Sequence, residues 1–120
     1  MTQDRLSLGR WGEDAAVSFL QAQGVKIVER NFRTPVGEID LVCKSGKNLL
    51  FVEVKTRRGR SFGLPQEAVG VRKQRQIIRA AQWYLSAGKG RGLQPRFDVV
   101  AIELGEGVPK IDHIPDAFGI

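Results

Sequence analysis

Between Glu38 and Arg57 the sequence reads EIDLVCKSGKNLLFVEVKTR, in which two apolar runs flank a short polar linker. Such runs are typical of β-strands, and Ser45-Gly46-Lys47-Asn48 is typical of a turn. We therefore predict a hairpin with strands Glu38–Lys44 and Leu49–Arg57. A two-residue turn and a four-residue loop give the same register, which pairs Asp40 with Glu53 and Glu38 with Lys55.

Two acids and a lysine interrupt the apolar runs of this hairpin, in the spacing D-x12-E-x-K formed by Asp40, Glu53 and Lys55. Directly opposed Cβ atoms on paired strands lie ~4.5–5.5 Å apart, so the two carboxylates repel. A divalent cation removes that repulsion, and Mg²⁺ prefers a site of one or two carboxylates completed by water and phosphate. Lys55 lies beside this position, where it can orient or help deprotonate a water for attack on phosphorus.

The residues alone leave a second interpretation open for the same charges. Glu38 and Lys55 can form a cross-strand ion pair, with Asp40 and Glu53 facing solvent on a half-exposed sheet. The spacing by itself does not decide between this arrangement and a metal site.

The rest of the chain predicts one α/β domain, residues 1–120, with a mixed central sheet flanked by helices. An antiparallel meander comes first and a helical crossover precedes the last strands. Trp11 and Trp83 fall at helical core spacing, which predicts packing rather than base stacking. The other predicted elements are helices Leu8–Gln23 (capped by Ser7) and Glu67–Ala87, strands Val25–Arg30, Phe97–Leu104 and Lys110–Ile114, and a turn at Thr34–Gly37.

Charge is distributed unevenly along the chain. The net charge is +6, but residues 55–96 carry +10 and the remainder −4. A basic segment directly after an acidic site suits a polyanion such as nucleic acid. A solvated basic face is the simpler alternative.

Few residues suggest any other chemistry. A single cysteine, Cys43, excludes an internal disulfide and reads as a buried, inert thiol. The only histidine, His113, has no ligand partners nearby in sequence, which argues against a histidine-based zinc site. Asp98 is expected to pair with Arg96 for structural reasons. No signal peptide or apolar run of membrane length is evident, so we expect a cytoplasmic protein without membrane contact.

Several segments resemble a known family. GEIDLV and FVEVKTR are similar to motifs of the PD-(D/E)xK nuclease superfamily, which shares a restriction-endonuclease-like core and includes Holliday junction resolvases. The likeness is greater to the YraN family of small bacterial proteins. It is carried by four segments: GRWGEDAA (Gly9–Ala16), ERNFRTPVGEIDLV (Glu29–Val42), FVEVKTRRGRSFG (Phe51–Gly63) and RFDVVAI (Arg96–Ile102).

The resemblance implies a role for individual residues. Asp40 and Glu53 are expected to bind Mg²⁺ (or Mn²⁺), Lys55 to be the catalytic lysine, and Glu13 to complete the site from the first helix. Candidate contacts to nucleic acid are Arg57, Arg58, Arg60, Lys73 and Gln74. The residue before Asp40 is isoleucine, where the superfamily's name has proline.

These observations predict a nucleic-acid-binding protein that acts as a Mg²⁺-dependent endonuclease on structured or branched DNA, with DNA favoured over RNA. A homodimer is compatible with this, because resolvase-like enzymes are typically dimers. The alternatives are a catalytically silent nuclease fold that binds nucleic acid or serves as a scaffold, and a metal-free domain that binds an acidic protein.

Overall fold

The described part of the chain folds around one mixed sheet. The computed structural model describes residues 3–58 and 69–119. Within these ranges the elements, in chain order, are helix α1 (Gln3–Ala22), strands β1 (Lys26–Thr34), β2 (Gly37–Ser45) and β3 (Asn48–Arg58), helix α2 (Val71–Ser86), and strands β4 (Gln94–Leu104) and β5 (Lys110–Phe118).

The sheet has the topology that the sequence predicts. Its strand order is β1-β2-β3-β4-β5. The first three strands form an antiparallel meander, β4 pairs parallel with β3 after the α2 crossover, and β5 returns antiparallel to β4. The fold class is confirmed as an α/β protein, and this arrangement is compatible with a restriction-endonuclease-like core.

Some predicted boundaries were wrong. Helix α1 begins at Gln3 rather than Leu8, so Ser7 lies inside it and does not cap it. Helix α2 begins at Val71, because Gly70 has an extended backbone; the predicted start at Glu67 lies outside the described residues. Strand β1 continues to Thr34 through Asn31, whose φ of 53° bends the strand without ending it.

Each face of the sheet has its own core. Alternation along β3 sends Leu50, Val52 and Val54 toward α1, while Leu49 and Phe51 face α2. This confirms the predicted alternation and places the next residue on the second face, Glu53, toward α2. Cys43 is fully buried, and burial raises the pKa of its thiol to about 12, in agreement with an inert role.

The two tryptophans correct another expectation. Trp11 is 42% exposed and Trp83 is 49% exposed, so neither is a core residue. The residues at the centre of the α2 contact are instead Ile77, Ala81 and Tyr84. Helical spacing cannot by itself separate the centre of an apolar face from its margin.

Helix α1 touches the sheet closely at Gly12, which brings Glu13 to the site. A Cβ at Gly12 would overlap Thr56 Oγ1 and lie 3.0 Å from Thr56 Cβ. We expect Gly12→Ala to destabilise the protein by about 1–2 kcal/mol, because overpacking outweighs the better helix propensity of alanine. Gly9→Ala is the matched control, since a Cβ there meets nothing within 4 Å. Urea denaturation measures the stability of both variants. Equal stability of Gly12→Ala and Gly9→Ala would contradict this account.

In the described part of the chain, neither helix is sufficiently long and apolar to span a bilayer.

Candidate functional site

Strands β2 and β3 part at the predicted site. Their pairing runs from Ser45–Asn48 to Leu41–Val52, which confirms the predicted register over this range. The pairing stops beyond Leu41, where Asp40 Oδ2 accepts a hydrogen bond of 2.8 Å from the backbone N–H of Val54. A side-chain carboxylate thus takes the place of a strand carbonyl where the ladder ends.

The side-chain alternation of β2 changes at the same point. Leu41 packs in the core under α1, whereas Ile39 packs under α2. Residues two apart on a regular strand share one face, so the alternation inverts at Asp40. Asn31 lies between Arg30 and Phe32, the partners of Leu41 and Ile39, and has a positive φ. Asparagine tolerates this conformation better than most residues do.

The carboxyl group of Glu53 is poorly solvated and has too few hydrogen-bond donors to stabilise a negative charge. Its side chain is 12% exposed, and its Oε2 atom is buried without a hydrogen-bond partner. Burial, and then the neighbouring Asp40 carboxylate, raise the pKa of Glu53 to about 8; Lys73 and Lys55 partly oppose this rise. Lys73 Nζ lies 3.8 Å from Glu53 Oε1. At neutral pH the carboxyl group is thus held largely protonated.

Asp40 shares this environment. Burial raises its pKa, while the Val54 N–H and a hydrogen bond with Glu53 lower it. The charges of Lys73 and Glu13 also act on Asp40, in opposite directions. The two acids are therefore neighbours, as predicted, although they meet where the strands part and not as a laddered pair.

The donor set at this position fits a hard divalent cation. Two adjacent carboxyl groups with raised pKa values, and one buried oxygen without a donor, lack the positive charge that a cation would provide. Among residues 3–58 and 69–119, no three His, Cys, Asp or Glu side chains converge to hold a metal ion. A cation at Asp40 and Glu53 would therefore take its other ligands from water and substrate.

Glu13 lies near this pair but is occupied by other partners. Its Oε1 atom accepts hydrogen bonds from Arg30 Nε at 2.9 Å and Asn31 Nδ2 at 3.0 Å. Arg30 also contacts Asp14 at 2.6 Å, so these contacts fasten α1 to β1. Its role as a metal ligand stays a prediction.

The basic candidates are divided between two places. Lys73 contacts Glu53 as described, and Lys55 is exposed on β3. Arg57 and Arg58 lie at the end of β3, half-buried and exposed respectively, whereas Arg60 lies outside the described residues.

Gln74 has a local partner that the sequence did not indicate. Its Nε2 donates to the carbonyl of Val69 at 2.9 Å, which fixes the chain where it enters α2. A role in holding substrate stays a prediction.

An open groove adjoins Lys73. It lies between α2 and the turn that joins β1 to β2, where Gly37 approaches the Gln76 backbone so closely that a Cβ would come within 2.8 Å of its carbonyl oxygen. The groove is lined by Arg33, Thr34, Pro35, Val36, Gly37, Glu38, Lys73 and Gln76. Glu38 pairs with Arg33 at 3.6 Å. Among the described residues no ion pair joins Glu38 to Lys55, so the alternative cross-strand pair is wrong.

A second buried charge network was only half predicted. Asp98 is fully buried and accepts both guanidinium bonds of Arg96 at 2.9 Å, which confirms the expected pair. His113 Nε2 lies 2.7 Å from Asp98 Oδ2, and the backbone N–H of Asp116 donates to Oδ1 at 3.0 Å. The histidine contact was not predictable from the sequence, because it joins two strands whose register was unknown.

The fold and the site together define a class: an α/β protein with a restriction-endonuclease-like core, in which the central hairpin carries two adjacent acids and a lysine. Residues 12–102 match the family described as "Uncharacterised protein family UPF0102". The chain belongs to this family, which confirms the resemblance seen in the sequence motifs.

Three relatives show that the similarity extends over nearly the whole chain. The UPF0102 protein of Syntrophotalea carbinolica is 58% identical over 120 residues, covering 100% of this chain and 98% of that protein. That of Geotalea daltonii is 48% identical over 118 residues, covering 98% and 93%. That of Rhodococcus jostii is 49% identical over 115 residues, covering 94% and 97%.

Proposed function

We propose that this protein binds nucleic acid and is a Mg²⁺-dependent endonuclease that hydrolyses phosphodiester bonds in structured or branched DNA. The observation that carries the proposal is the Asp40–Glu53 pair. Two carboxyl groups meet where two central strands part, burial raises the pKa of both, the charge of Asp40 further opposes ionisation of Glu53, and Glu53 has a buried oxygen without a donor. A fold needs no such pair for stability, whereas a metal-dependent phosphodiesterase does.

The residues divide the chemical work between them. Asp40 and Glu53 would hold the cation, and the Val54 N–H keeps the Asp40 carboxylate oriented. When bound, Mg²⁺ acidifies a water and offsets charge that develops on the phosphate. Lys55, on the same face of β3 as Glu53, supports proton transfer from the attacking water. In the free protein Lys73 lies beside Glu53, and it can turn to a phosphate oxygen when a cation is bound by the two acids.

The basic charge around the site supports a polyanionic substrate. Helix α2 has four basic side chains and no acid, and Arg57 and Arg58 end the strand that carries Glu53. Arginine contacts with phosphate position a duplex or branch but read no bases. We therefore expect recognition of backbone shape instead of sequence.

A cleavage assay tests the proposal. Purified protein is incubated with single-stranded, duplex, flap and four-way-junction DNA in Mg²⁺, in Mn²⁺ and in EDTA. We expect cutting of the branched substrates with either metal and none in EDTA. Glu53→Ala and Lys55→Ala, purified in parallel, are expected to cut far more slowly than wild type.

The outcomes separate the competing functions. Equal trace cutting by wild type and both variants would indicate a contaminating nuclease and contradict the proposal. If the protein binds junctions tightly but does not cut them in Mg²⁺ or Mn²⁺, the result would instead support the catalytically silent nuclease fold. Failure to bind any nucleic acid at low salt would exclude both.

A further inference from the structure

Helix α2 has an exposed face on the side away from the sheet. Ile77, Ala80, Ala81 and Tyr84 are buried against the sheet. On the opposite side Arg72, Arg75, Arg79 and Trp83 are all exposed. At 3.6 residues per turn these four positions fall within an arc of about 80° and extend along about 16 Å of helix. We call them the arginine–tryptophan stripe.

The stripe has no internal charge balance. Helix α2 contains no acidic residue. In the part of the chain that the structure describes, no carboxylate lies within ion-pair distance of Arg72, Arg75 or Arg79. Solvated helix faces usually intersperse both signs, so three aligned cations favour an anionic partner of similar length.

Trp83 narrows the choice of partner. Its side chain ends the stripe one turn after Arg79 and is 49% exposed, although tryptophan normally buries its large apolar surface. An exposed indole beside guanidinium groups can stack on a nucleobase, and every base offers a π-face for this contact. Stacking requires a base that is free of its own duplex stack.

We infer that the arginine–tryptophan stripe binds a single-stranded segment of nucleic acid, with the arginines on successive phosphates and a base stacked on Trp83. This rests on the proposed function and deepens it, because it assigns the unpaired part of a branched substrate to one helix. Arg72 is adjacent to Lys73, whose Nζ lies 3.8 Å from Glu53 Oε1. A strand that follows the stripe toward the start of α2 therefore leads to the carboxylate pair.

The two tryptophans allow a direct optical test. The chain has only Trp11 and Trp83, on helices that cover opposite faces of the sheet. Trp11→Phe leaves Trp83 as the sole indole, and Trp83→Phe leaves Trp11. Each variant is titrated with oligothymidylate in EDTA and low salt, where no cutting occurs. We expect strong fluorescence quenching in Trp11→Phe and little in Trp83→Phe.

Binding measurements with the same oligonucleotide complete the test. We expect Trp83→Ala to weaken binding about 5- to 150-fold, the range for one stacked base, and the exposed control Trp11→Ala to leave it unchanged. Replacing Arg75 and Arg79 by alanine should reduce the slope of log K against log salt by about 1.4, at roughly 0.7 per phosphate contact. Thermal melts confirm that each variant is folded.

Three results would overturn the inference: no quenching of Trp83 on binding, equal loss from Trp11→Ala and Trp83→Ala, or a blunt duplex of the same length quenching Trp83 as strongly as the single strand. If these occur while branched DNA is still cut with Mg²⁺, only the stripe is wrong. If no nucleic acid binds or is cut, the proposed function is wrong as well.

Discussion

Glu53→Gln is expected to reduce DNA cleavage about a hundredfold or more while making the metal-free protein more stable at alkaline pH. Glutamine has nearly the same shape but removes one of two carboxylate ligands, so the charge stabilisation that a cation provides in the transition state is lost. The same change removes the repulsion between Glu53 and Asp40. Opposite effects on activity and stability are typical of residues retained for function.

The stability effect has a defined dependence on pH. The pKa of Glu53 in the folded protein, about 8, lies above its ordinary value of 4.5. Between these values the folded state holds a proton that the unfolded state releases, so stability falls as pH rises through this window. The stability that protonated Glu53 gives the folded state is fully present below pH 4.5 and is lost as the pH rises above 8. Glutamine cannot ionise, so the advantage of Glu53→Gln grows from pH 5 to pH 9.

Urea denaturation in EDTA across this range, together with cleavage at saturating Mg²⁺, measures both effects. Glu38→Gln is the matched control, since this glutamate lies on the same hairpin with its side chain 54% exposed and pairs only with Arg33 among the described residues. Its stability should shift little and its cleavage should persist. Cleavage by Glu53→Gln at the wild-type rate would remove Glu53 from the mechanism.

Asp98→Asn is expected to destabilise the protein by about 3–5 kcal/mol, the largest loss of stability among these variants. The amide keeps the volume of the carboxylate, but it removes a charge that is fully buried against Arg96 and His113. Breaking one side of a buried charge network leaves the other side uncompensated. The contact from Asp116 would weaken as well, which loosens β5 from β4.

The pH dependence of this effect has the opposite sign to that of Glu53. Burial raises the pKa of Asp98, but the contacts with His113, Arg96 and the Asp116 N–H outweigh it and lower the value to about 2. The stabilisation is present above the ordinary value of 3.8 and is lost as pH falls through 2. The difference between wild type and Asp98→Asn should therefore shrink as the pH falls from about 4 toward 2.

Urea denaturation at fixed ionic strength, without guanidinium salts, measures this difference in the free energy of unfolding. Asp112→Asn on β5 is the control, because Asp112 is 39% exposed and lies 4.0 Å from Lys110. An exposed pair of this kind contributes about 0–1 kcal/mol. Equal stability of wild type and Asp98→Asn would show that the network does not stabilise the fold.

The β2–β3 hairpin was predictable because it is local in sequence. Two runs joined by Gly46-Lys47 have few ways to pair once each has a polar and an apolar face, so the hairpin register followed from the turn. The ends of α2 and β1 were harder to predict. The start of α2 depends on the extended backbone of Gly70, and the length of β1 on a positive φ at Asn31, which hydrophobic periodicity does not report.

The site was predictable in its acids but not in its surroundings. Asp40 and Glu53 stood out because charge is rare within apolar strands. Their actual contact depends on the end of the strand ladder, and the engagement of Glu13 depends on Arg30 and Asn31, which belong to another element. Asn31 offered a weak signal, since asparagine adopts a positive φ more often than most residues do.

The gap between β2 and β3 also removes the electrostatic separation between the two faces of the sheet. Over most of a paired sheet, continuous backbone and the two apolar cores separate the charges of one layer from those of the other. At Asp40 this separation fails: Glu13 on α1 and Lys73 on α2 both shift the pKa of the same carboxyl group. Charges carried by helices on opposite faces of the sheet therefore act together on a single carboxyl group.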